Sequence, residues 1–261
     1  MRKYRLIIGI LSLVILIQLG IIVKLYLSIK KQKVVVKPTY KAKIAIVLDD
    51  WGYNLDNLEI LNQINYPLTL AILPHLKYSQ DIANYASSFH KEIILHLPLQ
   101  PKSSKEYAGW EKNTITVDMP EAEIQDILLK ALESLKDIRG LSNHMGSRAT
   151  EDERVMTIIF KELKKRELYF LDNKVSLNSV CSKVAKKLSL KFIIRDIFLD
   201  NQKNSHYIKS QLKKLKFIAL KKGQAVGVGH ADRTTLEVLK KEMPSLEKEG
   251  FKFVFLSELV R

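Results

Sequence analysis

Short apolar runs alternate with helical patterns along most of this chain. Residues 43–48, 68–73, 92–97, 168–171, 190–194, 224–229 and 251–255 read as strands, with a weaker one at 140–144. Most are β-branched and apolar on both faces, as strands buried in a parallel sheet are. Between them run helical stripes. Ile124, Ile127, Leu128, Ala131, Leu135 and Ile138 follow the i, i+3, i+4, i+7 rule, with Pro120 near the start and Gly140 at the end. Thr150 and Glu153 have capping-box spacing before Val155, Ile158, Ile159 and Leu163. Ile82, Tyr85, Ala86 and Phe89 form another stripe, and Ile208, Leu212, Leu215 and Ala219 a further one, closed by Gly223. Thr235 is placed to cap a helix carrying Leu236 and Leu239 that stops before Pro244. Seven or eight strands alternating with helices predict a (β/α) barrel, with an open doubly wound sheet as the alternative.

The amino-terminal pattern differs. Residues 6–23 are apolar, broken only by Gln18 and small residues, and at 1.5 Å per residue span roughly 27 Å, near the thickness of a bilayer core. Lys24 can snorkel and extend the span to Leu27. No small-residue cleavage site follows, so residues 1–27 read as an uncleaved signal anchor, 28–42 as a basic linker and 43–261 as the folded domain. Basic residues flank the span on both sides, so charge does not set its orientation.

Charge sharpens this division. The 261 residues carry a net charge of +15, which taken whole would suggest nucleic-acid binding. Residues 1–43 hold ten basic residues and no acid, leaving 33 basic and 28 acidic residues, or +5, for the remainder. The excess belongs to the membrane-proximal segment, where it suits anionic lipid, and no nucleic-acid partner is expected. The single cysteine, Cys181, excludes an intrachain disulfide and reads as a packed helical residue.

Chemistry collects at the carboxyl ends of the predicted strands, where parallel α/β folds place their sites. The first strand runs into Asp49-Asp50-Trp51-Gly52. Others end in His96-Leu97-Pro98, Asn143-His144-Met145-Gly146-Ser147, Asp172-Asn173, Arg195-Asp196 with Asp200 just beyond, and His230. Singly, each has an ordinary use, such as a helix cap or a hydrogen-bonded core histidine. Two adjacent carboxylates repel unless a cation compensates. Asp and His drawn from separate strand ends supply the O/N donors that suit Zn²⁺ or a related divalent ion. His75 stands at another strand end, while His90 and His206 read as surface residues.

The segments Ile44 to Gly52, Leu68 to Pro74, His96 to Pro101, Asn143 to Ser147, Tyr169 to Asp172, Phe198 to Asp200 and Gly229-His230 resemble, in order, the motifs of the divergent polysaccharide deacetylase family. The resemblance covers about residues 43–259. It implies a distorted (β/α)7 barrel behind one transmembrane helix, and an extracytoplasmic, metal-dependent carbohydrate deacetylase acting on an acetylated polysaccharide or peptidoglycan-like glycan. It also implies Asp49 as catalytic base, Asp50, His96 and His144 as ligands of a divalent metal such as Zn²⁺, and His230 as general acid. Asp172 or Asp196 is expected to orient His230, with Arg195-Asp196 as a structural ion pair the alternative use of that dipeptide. Trp51, Tyr53, Tyr107 and Trp110 are expected to offer faces to sugar rings, and residues 103–112 to form a loop over the site. Where the family usually continues Gly-His with Pro, this chain has Ala231-Asp232, and Asn173-Lys174-Val175 replaces its usual Ser-x-Thr. Those departures suit a second reading, a catalytically inactive, membrane-tethered barrel that binds envelope glycan or a protein partner.

Overall fold

A computed structural model describes residues 2–31, 40–103 and 111–261. The chain divides into two units, Met1–Thr39 and Tyr40–Arg261. The first contains α1 (Arg2–Lys31), in which Ile7–Tyr26 is long and apolar enough to cross a membrane. Its described apolar side chains are exposed.

The second unit is built on nine parallel strands: β1 (Ala42–Trp51), β2 (Thr69–Ile72), β3 (Glu92–Leu99), β4 (Gly140–Met145), β5 (Tyr169–Asp172), β6 (Phe192–Ile194), β7 (Ile197–Phe198), β8 (Gln224–His230) and β9 (Phe251–Val254). Their order is β6-β5-β4-β3-β2-β1-β8-β7, with β9 paired to the start of β1. The sheet curls into a barrel left open between β6 and β7, which Arg195-Asp196 joins without pairing. The predicted alternation therefore holds, with β7 as an unforeseen two-residue strand.

The helices are α2 (Leu58–Asn62), α3 (Ser79–Ser88), α4 (Glu121–Glu133), α5 (Glu153–Lys165), α6 (Cys181–Leu188), α7 (Ser205–Lys222) and α8 (Arg233–Lys248). Two caps differ from expectation. The α5 cap is Asp152, which accepts from Val155 N, while Thr150 Oγ1 donates to Gly146 O. The α8 cap is Asp232, which accepts from Thr234 N, and α8 continues through Pro244 instead of stopping there. Burial of Met243 and Leu246 on either side of the proline offsets the backbone bond it cannot make. Cys181 is buried at the start of α6, as expected of a packed residue.

Period-two alternation along the strands sorts the side chains into two cores. Ile44, Ile46, Leu48, Leu70, Ile72, Leu95, Leu141 and Phe170 face outward against the helices. Ala45, Val47, Ala71, Ile94, Tyr169, Leu171, Val226 and Val228 face inward and fill the barrel. At the amino-terminal foot the inward layer turns polar: Glu92 Oε1 accepts from Thr69 Oγ1 and Tyr169 OH, both at 2.9 Å. The carboxyl-terminal segment crosses this foot, where Ser257 N donates to the same oxygen and Phe192 N donates to Arg261 O.

Candidate active site

At the other end of the barrel the inward layer turns polar again. Counting in twos from the apolar layer leads from Val47 to Asp49, from Ile94 to His96, from Leu171 to Asn173 and from Val228 to His230. Register places Asp49 beside His230 and His96 beside Ser142, with His144 two residues further along the same face of β4.

Asp50 should face outward by this count, and a bulge redirects it. β1 pairs with β2 at Leu48–Leu70 and again at Trp51–Ile72, so Asp49 and Asp50 together oppose the single Ala71. Asp50 adopts φ 65°, a left-handed backbone that a non-glycine residue holds only under constraint from its surroundings. Both carboxylates consequently reach one centre. His96 Nε2 lies 3.7 Å from Asp49 Oδ2 and 3.2 Å from Asp50 Oδ1, and His144 Nδ1 lies 2.9 Å from the same Asp50 oxygen. Asp50, His96 and His144 offer ligand atoms that all lie within 4.8 Å of one another.

The surroundings of this trio fit a cation. His96 Nδ1 stands 2.7 Å from Ser142 Oγ, both buried. If Nδ1–H donates there, the Nε2 lone pair faces a carboxylate oxygen at 3.2 Å, an arrangement that needs a proton or a metal ion between them. The charges agree. Burial lowers the proton affinity of His96, and the nearby Asp49 and Asp50 carboxylates more than reverse this, raising its pKa. Asp50 is held far below the usual carboxylate range: burial raises it, and the hydrogen bonds from His144 and His96 outweigh that. The donor set, one carboxylate and two imidazoles with space beside it, matches Zn²⁺ chemistry.

Asp49 is 2% exposed. Its Oδ2 accepts from Asn173 Nδ2 at 2.7 Å, and its Oδ1 has no partner among the described residues. Burial raises its pKa, against the lowering effect of His96. His230 is positioned by Asp200: Nδ1 stands 3.0 Å from Asp200 Oδ1, and Asp200 Oδ2 accepts from His230 N and Thr235 Oγ1. Gly229 leaves room for that carboxylate, since a Cβ there would stand 3.2 Å from Asp200 Oδ2. Burial lowers the His230 pKa, but Asp200 and then Asp50 and Asp49 raise it to about 9.

Asp200 thus holds the place expected of Asp172 or Asp196. Asp172 continues the outward face of β5, where it accepts from Lys174 N and Ser179 Oγ. Asp196 pairs with Lys222 Nζ at 2.6 Å and accepts from Val226 N, and among the described residues it forms no ion pair with Arg195. Arg195 instead donates to Asn173 O and lies over the Phe198 ring. Asn173 and Ser142, neither foreseen, are signalled by the same two-residue count that marks Asp49 and His96.

A cleft of about 270 Å³ opens beside the trio, with Asp50, Trp51, Tyr53, Lys203 and His230 in its wall. Trp51 packs mainly in the core between sheet and helices, whereas Tyr53 is half exposed and its hydroxyl bonds Glu111. Tyr107, Trp110 and most of the expected 103–112 loop lie outside the described residues. His75, His90 and His206 are exposed, and none of them belongs to the trio or to the wall of this cleft.

The profile of the divergent polysaccharide deacetylases matches residues 46–260. The chain belongs to this family. An uncharacterized protein of Haemophilus influenzae is 31% identical over 209 residues, covering 80% of this chain and 74% of that protein. Among solved structures, the uncharacterized ATU2773 of Agrobacterium tumefaciens superimposes with a TM-score of 0.79 at 24% identity, covering 85% of this chain and 90% of that one. A mutant of BA3943, a CE4 family pseudoenzyme with restored enzymatic activity, superimposes with a TM-score of 0.50 at 17% identity over 85% of this chain and 68% of that one. The curled parallel sheet with its outer helices is the fold the chain shares with these two structures.

Proposed function

We propose that this family member is a divalent-metal-dependent deacetylase that removes acetyl groups from an extracytoplasmic polysaccharide or peptidoglycan-like glycan, tethered to the membrane through α1. The observation that carries it is the convergence of Asp50, His96 and His144 beside two further groups, Asp49 and His230. Asp50, His96 and His144 would hold the ion. When bound, it would supply Lewis-acid polarisation of the acyl oxygen and acidify the attacking water.

The chain's own residues divide the proton transfers. Asp49 accepts a proton through Oδ1, the oxygen left free while Oδ2 is held by Asn173. His230, protonated up to about pH 9, carries its second proton on Nε2, 3.7 Å from Asp50 Oδ2, and delivers it to the departing amine or alcohol. Asp200 keeps the ring oriented by taking the Nδ1 proton in a hydrogen bond. Tyr53 and Lys203 border the space into which a sugar would extend.

The test is acetate release from acetylated oligosaccharides by the purified, Zn²⁺-loaded chain, alongside metal content. Asp49→Asn should retain metal and lose turnover, whereas Asp50→Ala should lose both. Full metal content with no acetate released from any acetylated glycan would support the second reading, a non-catalytic barrel that binds envelope glycan. The departures at Ala231-Asp232 and Asn173-Lys174-Val175 motivate that reading.

A further inference from the structure

The outward face of α7 has no role in the site, and its composition is unusual for a solvated helix. Residues 201–223 contain seven lysines and no acid. Lys209, Lys216 and Lys222 turn aside to Glu242, Glu249 and Asp196. Lys213, Lys214 and Lys221 have no acidic partner among the described residues, and they surround two large apolar side chains facing solvent, Phe217 at 68% and Leu220 at 47% exposure. Lys213, Phe217 and Leu220 fall at i, i+4 and i+7, a single stripe on the helix. Apolar side chains ringed by unpaired lysines match the interfacial pattern of an anionic lipid surface: the rings and aliphatic groups enter the headgroup boundary while the ammonium groups meet phosphate.

Position supports that partner. The last turn of α7 lies at the barrel foot, where Gly223 O accepts from Lys43 N at the start of β1. The chain leading from the apolar segment Ile7–Tyr26 joins the domain at this same foot, at Tyr40 and Lys41, and residues 27–39 between them contain Lys30, Lys31, Lys33 and Lys37 without an acid. We propose that Phe217 and Leu220, with Lys213, Lys214 and Lys221, dock the flank of the barrel formed by the foot-ward half of α7 on an anionic bilayer surface. This is independent of whether the site is catalytic.

The full chain reconstituted in vesicles tests it through Phe217→Trp, read by quenching from brominated lipid over the background of Trp51 and Trp110. Leu177→Trp, in the loop after β5 at the opposite end and 93% exposed, serves as control. With about 30% phosphatidylglycerol, Phe217→Trp should be quenched at least about twofold more than Leu177→Trp, and adding Lys213→Glu, Lys214→Glu and Lys221→Glu should abolish the difference. Equal quenching at the two positions overturns the proposal, as does quenching indifferent to lipid charge and to charge reversal. An emission blue shift that grows with protein concentration in uncharged micelles would assign the face to a second copy instead, and also overturns it.

Discussion

Ser142→Ala separates metal affinity from folding. Ser142 sits directly opposite His96 in the β3–β4 register, and its hydroxyl, 2.7 Å from His96 Nδ1, is the neighbour that fixes which imidazole nitrogen is free to bind an ion. Removing it leaves Nδ1 buried without that partner and releases the ring to adopt the other tautomer, in which Nε2 carries the proton. Loss of such an outer hydrogen bond costs about 10–100-fold in metal affinity, or roughly 1.4–2.7 kcal/mol. The folding cost is smaller: one buried hydrogen bond contributes about 1 kcal/mol, and the side chain shrinks by a single oxygen. For a domain of this size that lowers Tm by about 2–4 °C in the presence of chelator. Zn²⁺ affinity measured by competition with a chromophoric chelator, beside melting curves with and without metal, reads the two effects separately. A variant that melts normally and binds Zn²⁺ within about twofold of the unaltered chain would refute the role of Ser142 in presenting His96 Nε2 to the ion.

Asp200→Asn removes the charge that raises His230, so the alkaline limb of kcat should move to lower pH, in step with the His230 titration followed by NMR; an unmoved limb counts against His230 as the acid. The sign for stability follows from the same raised value: the His230 contribution is complete below about 6.5 and is lost as pH rises through about 9. Asn173→Ala frees the Asp49 carboxylate without touching the metal trio, so kcat should fall about 10–100-fold with metal content and KM unchanged, and equal loss of metal would contradict a positioning role. Gly140→Ala would bring a Cβ to 2.5 Å from the Tyr169 ring, which should cost about 1–3 kcal/mol in thermal or urea unfolding; an unchanged midpoint would mean the foot of the barrel is looser than its contacts indicate.

Much of this architecture is legible in the residue pattern, because strands apolar on both faces and stripes at helical spacing each have one comfortable environment. The opening carboxylates and the late histidine are legible for a related reason: a charged or imidazole group directly after an apolar strand falls at a strand end. Direction is less legible. Asp172 and Asn173 are adjacent, and a carboxylate attracts the chemical reading, yet parity from Tyr169 and Leu171 turns Asn173 inward and Asp172 toward α6. Asp196 and Asp200 lie four apart across the short β7, which the pattern did not announce, so the partner of His230 could not be chosen from composition. Helix limits are the least legible: two neighbouring residues can both cap α5 and Asp152 rather than Thr150 does so, while α8 carries Pro244 because its flanking apolar residues remain buried.

The extra residue in β1 makes the chemistry depend on counting as well as on composition. With Asp49 and Asp50 opposite one residue of β2, two neighbours in sequence become neighbours in space, which an unbroken strand forbids. Deleting one residue between Leu48 and Trp51 would leave a well-formed strand with every apolar contact available. It would also remove Asp49 or Asp50 outright, leaving one inward carboxylate opposite Ala71 where the site uses two, one as proton acceptor and one in the cation-binding trio. The site therefore depends on the length of the first strand's end as much as on which side chains line the barrel.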